Sequence, residues 1–176
     1  MLLLTKYNVE ILLISYFATM EKLSVLDYLN HLINGTLTPD MCTHMQYPTP
    51  ISLTLGIGLV EAGTGTATVK IDASKEIHGN QQGTVHGGLI CELADAAIGT
   101  AHSTTIAEGE SFTSIELKIN FYRPVFNSVL LATAKPLQSG NTISHYICEV
   151  TREDGKVVAI VTSTVMTLKG DKALGR

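Results

Sequence analysis

The chain has 176 residues, of which 45% are hydrophobic and only 16% charged, and its net charge at pH 7 is −4. This length is enough for one domain with a substantial core, and the charged fraction lies below the roughly 25% of an average soluble domain, which indicates surface buried between subunits. The sequence has no basic run and no basic-aromatic stripe, so we do not expect nucleic acid as a partner.

The cysteines indicate the redox compartment. Cys42, Cys91 and Cys148 are odd in number and have no C-x-x-C spacing. Such a set fits a reducing compartment better than a disulfide framework, so we predict a cytoplasmic protein.

The first element is an apolar N-terminal extension, residues 1–20, which Lys6 and Glu10 interrupt. Its unbroken apolar part is much shorter than the ~20 residues of a membrane span, so no membrane association is expected. No small-x-small cleavage site precedes Met20. Three interpretations stay open: a packing segment, an address signal, or an upstream start codon with Met20 as the true start. We favour the start codon or a docked helix over export.

The next stretch predicts a helix, a loop and a strand pair. Residues 21–34 carry leucines at helical spacing, and Gly35 stands where a C-cap glycine belongs. Residues 36–50 are predicted as loop. Residues 51–60 and 65–72 are predicted as two strands around a glycine-containing turn, and 73–83 as a polar loop.

A long helix is then predicted over residues 85–104. It is apolar nearly all round, and a helix without a solvated face is buried in its domain. Alanine and glycine recur along it, which would let a sheet approach closely.

Four strands complete the chain, at about 111–123, 127–137, 141–153 and 156–168. Asp154-Gly155 predicts a hairpin turn between the last two strands, and residues 139–141 predict another turn. One apolar helix among so many strands indicates an α+β fold with a sheet wrapped around the helix. A single sheet leaves edges and an open face, so we expect the protein to pair.

The chemistry concentrates where the polar, glycine-rich run Gly83–Gly88 enters the long helix. Backbone N–H groups at a helix start attract negative charge. Asp95 follows two turns later among apolar residues, and a carboxylate in such surroundings is a candidate base or nucleophile. Together the two features could attack a carbonyl, one holding its oxygen and the other driving the attack.

This region resembles the hotdog-fold acyl-CoA thioesterases of the PaaI-like, phenylacetyl-CoA type. The matching residues are Asn80, Gly83–Gly88, Leu93–Asp95 and the strand Ser114–Pro124. The resemblance covers roughly residues 48 to 168. It implies a hotdog domain over 48–170, preceded by an N-terminal helix and loop at 21–47. It also implies hydrolysis of acyl-CoA without a cofactor, by a homodimer or a dimer of dimers.

The resemblance further implies the main catalytic roles. Asp95 would act as general base for water or as nucleophile on the thioester carbonyl, and both roles stay open. The Gly87 N–H would hold the developing oxyanion, and Asn80 would position the carbonyl or the water. The family builds this site across a dimer interface, so Asp95 is expected to work with Gly87 and Asn80 of the partner subunit.

Other residues have supporting roles in this prediction. Ser114 matches a serine that orients water beside the acid, and Thr113 stays an alternative because the spacing from Asp95 is one residue longer than in some relatives. We expect His86 to hydrogen-bond the loop and Gly88 to serve close packing. Arg123, and as an alternative Lys118, could bind the CoA phosphates, although a solvated strand edge explains them equally well.

Other kinds of site are not supported by the sequence. The histidines and Cys91 are too irregularly spaced for a zinc site, so no metal is expected, and there is no G-x-S-x-G elbow. Two rival functions remain: a hotdog protein that only binds acyl-CoA, and a hotdog enoyl-CoA hydratase. The acyl group stays open.

Overall fold

The computed structural model describes residues 20–174, which divide into two compact units between Met45 and Gln46. In the first unit, β1 (Glu21–Lys22) pairs in parallel with β2 (Met41–Cys42), and α1 spans Val25–Asn34. The extension at residues 1–19 lies outside the described residues.

The helix predicted at 21–34 is confirmed from residue 25 onward. The Ser24 hydroxyl accepts the Asp27 N–H at 3.1 Å, and Gly35 ends the helix at φ 65°. The prediction was wrong at residues 21–22, which form β1, and at residues 41–42 of the expected loop, which form β2. These short strands carry no alternation long enough to be seen in the sequence.

The second unit contains a six-stranded sheet and one long helix. The sheet order is β3-β4-β6-β7-β8-β5, and all neighbouring strands are antiparallel. In chain order the elements are α2 (Pro50–Leu55), β3 (Gly58–Gly63), β4 (Thr66–Ser74), α3 (Lys75–His78), α4 (Gly87–Ser103), β5 (Ser111–Phe121), β6 (Asn127–Gln138), β7 (Ile143–Arg152), β8 (Val157–Leu168) and a 3₁₀ turn (Gly170–Ala173).

The core of this unit lies between α4 and the inner face of the sheet. Leu93, Ala97 and Ala101 of α4 are fully buried, and alternate residues of β4 and β6 meet them. Because the buried helix positions are often alanine, the helix axis lies close to the strands. The predicted α+β hotdog architecture, with one long central helix, is confirmed.

Two local predictions in this unit were wrong. Residues 50–55 form the helix α2 instead of a strand, because Thr49 accepts the Ser52 N–H, Pro50 occupies the first turn, and Gly56 ends the helix at φ 74°. The loop predicted at 73–83 contains the helical turn α3, capped by Ser74.

The expectation that α4 has no exposed face was also wrong. Leu89 and Leu93 are buried, whereas Glu92 and Asp95 are partly exposed among the described residues. The sheet covers one side of the helix, and the other side is only partly covered within residues 46–174.

Polar contacts fix the C-terminal end of α4. The Thr104 hydroxyl accepts the Gly65 N–H at 2.8 Å and lies 3.0 Å from the Gly63 carbonyl oxygen, which ties the helix end to the β3–β4 turn. The buried His102 ring lies between the hydroxyls of Tyr146 (3.2 Å) and Thr167 (3.0 Å). Burial lowers the pKa of His102, which favours its neutral form. These contacts fix the position of α4, and with it the candidate catalytic residues, relative to the sheet.

Candidate active site

The loop before α4 is held in place by Asn80. The Asn80 Oδ1 accepts the backbone N–H groups of Gln82 (2.9 Å) and Thr84 (3.2 Å), and its Nδ2 donates to the Thr84 hydroxyl (3.0 Å). The Val85 N–H donates to the carbonyl oxygen of Val125, in the connection between β5 and β6, at 2.8 Å. In this chain, Asn80 therefore shapes the turn with the same side-chain atoms that were expected to face a substrate.

His86 caps the start of α4. Its Nδ1 accepts the Gly88 N–H at 2.8 Å, and its backbone is extended, with φ −64° and ψ 133°. A neutral ring accepts at one nitrogen only, so this bond requires the proton on Nε2. A Cβ at Gly88 would lie 2.8 Å from the same Nδ1, which explains why glycine follows. The geometry is that of a structural cap.

Gly87 is the first residue of α4, so its N–H has no acceptor within the helix. A Cβ at this position would lie 2.8 Å from Cζ of Phe121, a distance that real Cβ atoms do not show. The Phe121 ring, which is half exposed, thus packs directly on the glycine. Sequence reasoning did not find this contact, because an aromatic residue in a strand has no distinctive spacing from the glycine.

A cavity of about 410 Å³ opens at this point. Asn80, Gly87 and Arg123 share its lining with the apolar side chains of Ile90 and Val125. The cavity therefore combines a backbone donor from the helix start with an apolar wall and one cation.

Arg123 is oriented by its own chain. Its Nη1 donates to the Val157 carbonyl oxygen at 2.5 Å, which leaves other guanidinium N–H groups for an anion. Lys118, the alternative cation, does not line the cavity. The geometry thus favours Arg123 of the two candidates.

Asp95 accepts a hydrogen bond from Ser114. The distance from Ser114 Oγ to Asp95 Oδ1 is 3.1 Å. Asp95 does not line the cavity at Gly87, and it lies eight residues further along α4, roughly 12 Å at 1.5 Å per residue. The described chain therefore brings Asp95 together with Ser114 but does not bring it to its own Gly87.

The register of β5 explains why Ser114 and not Thr113 reaches Asp95. Ser114 lies opposite Val165, which is fully buried on the inner face, whereas Thr113 lies opposite Met166. An irregularity follows immediately, between Ser114 and Glu116. Bulges often stand beside sites because they re-aim one side chain without changing the rest of the strand.

A second carboxylate on α4 was missed by the sequence analysis. Glu92 precedes Asp95 by three residues, a spacing that makes the two side chains neighbours on a helix surface. Burial raises the pKa of Glu92, and the nearby Asp95 raises it further. The same influences, with Glu92 added, raise the pKa of the Cys91 thiol. The sequence signal that could have revealed Glu92 was its spacing of three residues from Asp95.

Comparisons with known proteins identify the family. The sequence profile of the thioesterase superfamily matches residues 82–159. A relative from Archaeoglobus fulgidus, assigned by its name to the esterases, is 31% identical over 114 residues, which cover 64% of this chain and 71% of the relative. The chain belongs to the thioesterase superfamily. The matched range contains the Gly83–Gly88 run, Asp95 and Ser114. Membership of this superfamily makes the chain a thioester hydrolase by family.

One further relative and one solved structure are also similar to this chain. The medium/long-chain acyl-CoA thioesterase YigI of Salmonella typhimurium is 28% identical, covering 68% of this chain and 86% of that protein. The structure of a mutant of the phenylacetic acid degradation protein PaaI from Thermus thermophilus superposes with a TM-score of 0.61 at 28% identity, covering 67% of this chain and 98% of that one.

The described part of the chain holds neither a membrane-spanning helix nor a metal cluster. Within residues 20–174, none of the helices has the length and apolar character needed to cross a membrane. Over the same residues, no three histidine, cysteine, aspartate or glutamate side chains come together as metal ligands.

Proposed function

We propose that this thioesterase hydrolyses acyl-CoA esters to the free acid and CoA, and that Asp95 drives the attack on the thioester carbonyl. The observation that carries the proposal is the hydrogen bond from Ser114 of the edge strand β5 to Asp95 of α4. Relatives named as acyl-CoA thioesterase and as 1,4-dihydroxy-2-naphthoyl-CoA hydrolase support CoA esters as the substrate class.

With the hydrogen bond from Ser114 in place, Asp95 can drive thioester hydrolysis by either of two routes. As general base, Asp95 removes a proton from water while the oxygen attacks the carbonyl carbon, and the C–S bond then breaks to release the CoA thiolate. As nucleophile, Asp95 forms a mixed anhydride that water opens in a second step. In both routes the negative charge develops on the carbonyl oxygen, where a backbone N–H such as that of Gly87 stabilises it.

The site is completed by a second copy of the chain. Asp95 and Gly87 lie roughly 12 Å apart along one helix, which is too far for both to act on one carbonyl. The edge strand β5 carries Ser114 and, within the described sheet, is paired on one side only, to β8. Pairing through such an edge satisfies its free N–H and C=O groups. We therefore infer a homodimer in which Asp95 and Ser114 meet Gly87 and Asn80 of the partner subunit.

Arg123 is the proposed contact for a CoA phosphate. It lies at the cavity that contains Gly87, and its fork of N–H donors matches phosphate oxygens. We also place the protein in the cytoplasm, since Cys42, Cys91 and Cys148 are all free.

The first prediction tests the acid. Asp95→Asn keeps the size of the side chain and removes the negative charge, so CoA release from acyl-CoA should fall by about 100-fold or more with the fold intact. The measurement is thiol release over a panel of CoA esters, with circular dichroism as the fold check. Asp72→Asn on β4, an exposed aspartate, is the matched control and should leave the rate unchanged.

The same panel separates the rival functions. Near-normal turnover of Asp95→Asn would contradict the role of Asp95. Binding without thiol release by the wild type would favour an acyl-CoA-binding protein. Loss of enoyl-thioester absorbance without thiol release would favour a hydratase.

A further inference from the structure

Glu92 is a carboxylate near the proposed site, and the proposed hydrolysis mechanism does not use it. It is partly exposed on α4, three residues before Asp95. At that spacing two side chains on a helix are neighbours, with their Cβ atoms about 5–6 Å apart. Glu92 is therefore close to whatever group Asp95 attacks.

The charge of Glu92 is not neutralised by the described chain. Among residues 20–174, no hydrogen bond or ion pair of the Glu92 side chain is found, whereas Asp95 accepts the Ser114 hydroxyl. Burial and the neighbouring Asp95 both raise the pKa of Glu92, which is the effect expected where no cation compensates. At a pH above its raised pKa, Glu92 places a second negative charge beside Asp95.

The part of the substrate that meets this charge is the acyl group. Asp95 must reach the thioester carbonyl, directly or through one water, so the acyl carbons beside that carbonyl are the part of the substrate nearest to Glu92. The phosphates of CoA are separated from the thioester by the whole pantetheine arm. A negative charge that the substrate brings near Glu92 therefore comes from the acyl chain and not from the CoA phosphates.

We propose that Glu92 is a specificity-determining residue that makes this enzyme select acyl-CoA esters with uncharged acyl groups and reject those ending in a carboxylate. The inference rests on the proposed function, since it assigns the substrate class of the same site. It leaves the reaction itself to Asp95.

The test compares two five-carbon esters that differ in one charge, pentanoyl-CoA and glutaryl-CoA, with the rate without enzyme subtracted. The wild type should prefer pentanoyl-CoA in kcat/KM. Glu92→Gln should reduce that preference by a factor between about 3 and 100, the range for two charges ~6 Å apart at an effective dielectric of 80 to 20. Raising the salt concentration should weaken the preference more in the wild type than in Glu92→Gln, which keeps only the charge of Asp95.

Two variants control for charge and folding. Glu92→Asp keeps the charge and should keep the preference. Glu61→Gln removes an exposed charge from β3, at the opposite edge of the sheet from β5, and should behave as the wild type.

The outcomes separate the two proposals. If pentanoyl-CoA is hydrolysed but the ratio is the same in Glu92→Gln, or if the wild type prefers glutaryl-CoA, the inference on Glu92 is overturned while the thioesterase proposal stands. If the wild type releases no CoA from pentanoyl-CoA or any other neutral ester of the panel, the proposed function is overturned, and the inference with it.

Discussion

The pairing of Ser114 with Asp95 is the contact on which the site depends. Sequence spacing left Ser114 and Thr113 as alternatives, because either hydroxyl could stand opposite the acid. The structure aims Ser114 at Asp95, at 3.1 Å, and places Thr113 on the other face of β5. A hydroxyl here can orient the carboxylate and the attacking water, so Ser114 is a positioning residue for Asp95 in the proposed mechanism.

The second prediction tests this contact. Ser114→Ala should lower kcat for acyl-CoA hydrolysis by about 10- to 100-fold with a smaller effect on KM, since a hydrogen bond to a charged group contributes roughly 1.5–3 kcal/mol. Thr113→Ala is the matched control and should keep the wild-type kcat. A larger loss in Thr113→Ala than in Ser114→Ala would show that the strand register inferred for the site is wrong.

At the scale of elements, the start of α4 links the loop, the cavity and the helix. Its cap is His86, a residue type that is uncommon at this position, where Ser, Thr, Asp and Asn prevail. By holding the Gly88 N–H, the ring fixes the first turn and with it the direction of the Gly87 N–H. A histidine beside a catalytic glycine suggests acid–base chemistry, but the occupied Nδ1 assigns His86 to the helix.

The third prediction distinguishes a cap from a base. His86→Asn supplies another side-chain acceptor at the cap position and should retain most of the activity and stability. His86→Ala should lose about 1 kcal/mol of unfolding free energy and part of the activity. Thermal unfolding and thiol release measure the two effects. Equal, severe loss of activity in both variants at unchanged stability would assign a chemical role to the ring.

The β5 strand shows how a local irregularity serves the site. Before the bulge, Ser114 faces the helix; after it, Leu117 and Ile119 pack against the core. A regular strand would put residues two apart on one face, so it could not satisfy both Ser114 and Leu117. The extra residue at the bulge, Ile115, is left 56% exposed.

At the scale of the whole molecule, one chain holds the two halves of the proposed site at separate places. Asp95 with Ser114 forms one half, and Gly87 with Asn80 and Arg123 forms the other. A two-fold axis beside β5 would place each half against its complement on the partner, because a two-fold interface repeats every contact. The low charged fraction of the sequence fits such an assembly.

The fourth prediction tests the shared site by subunit mixing. Asp95→Asn and Gly87→Ala chains should each be nearly inactive, the second because its new Cβ meets Phe121. Unfolding and refolding them together should restore about a quarter of the wild-type activity, since half of the dimers are mixed and each has one intact site. Refolding either variant alone is the control. No recovery in a verified mixed dimer would place the whole site in one chain.

The sequence by itself determined the long helix, the four C-terminal strands and the family, because these rest on long periodic patterns and on a motif of fixed spacing. It failed at 50–55, where Thr49, Pro50 and Gly56 cap a helix too short to show a period. Only the tertiary structure chose Ser114, assigned His86 to the cap and separated Asp95 from Gly87, because strand register, side-chain direction and distance along a helix arise when elements pack. The raised pKa of Glu92 was likewise decided by the tertiary structure, because burial and the nearness of Asp95 are properties of the folded chain.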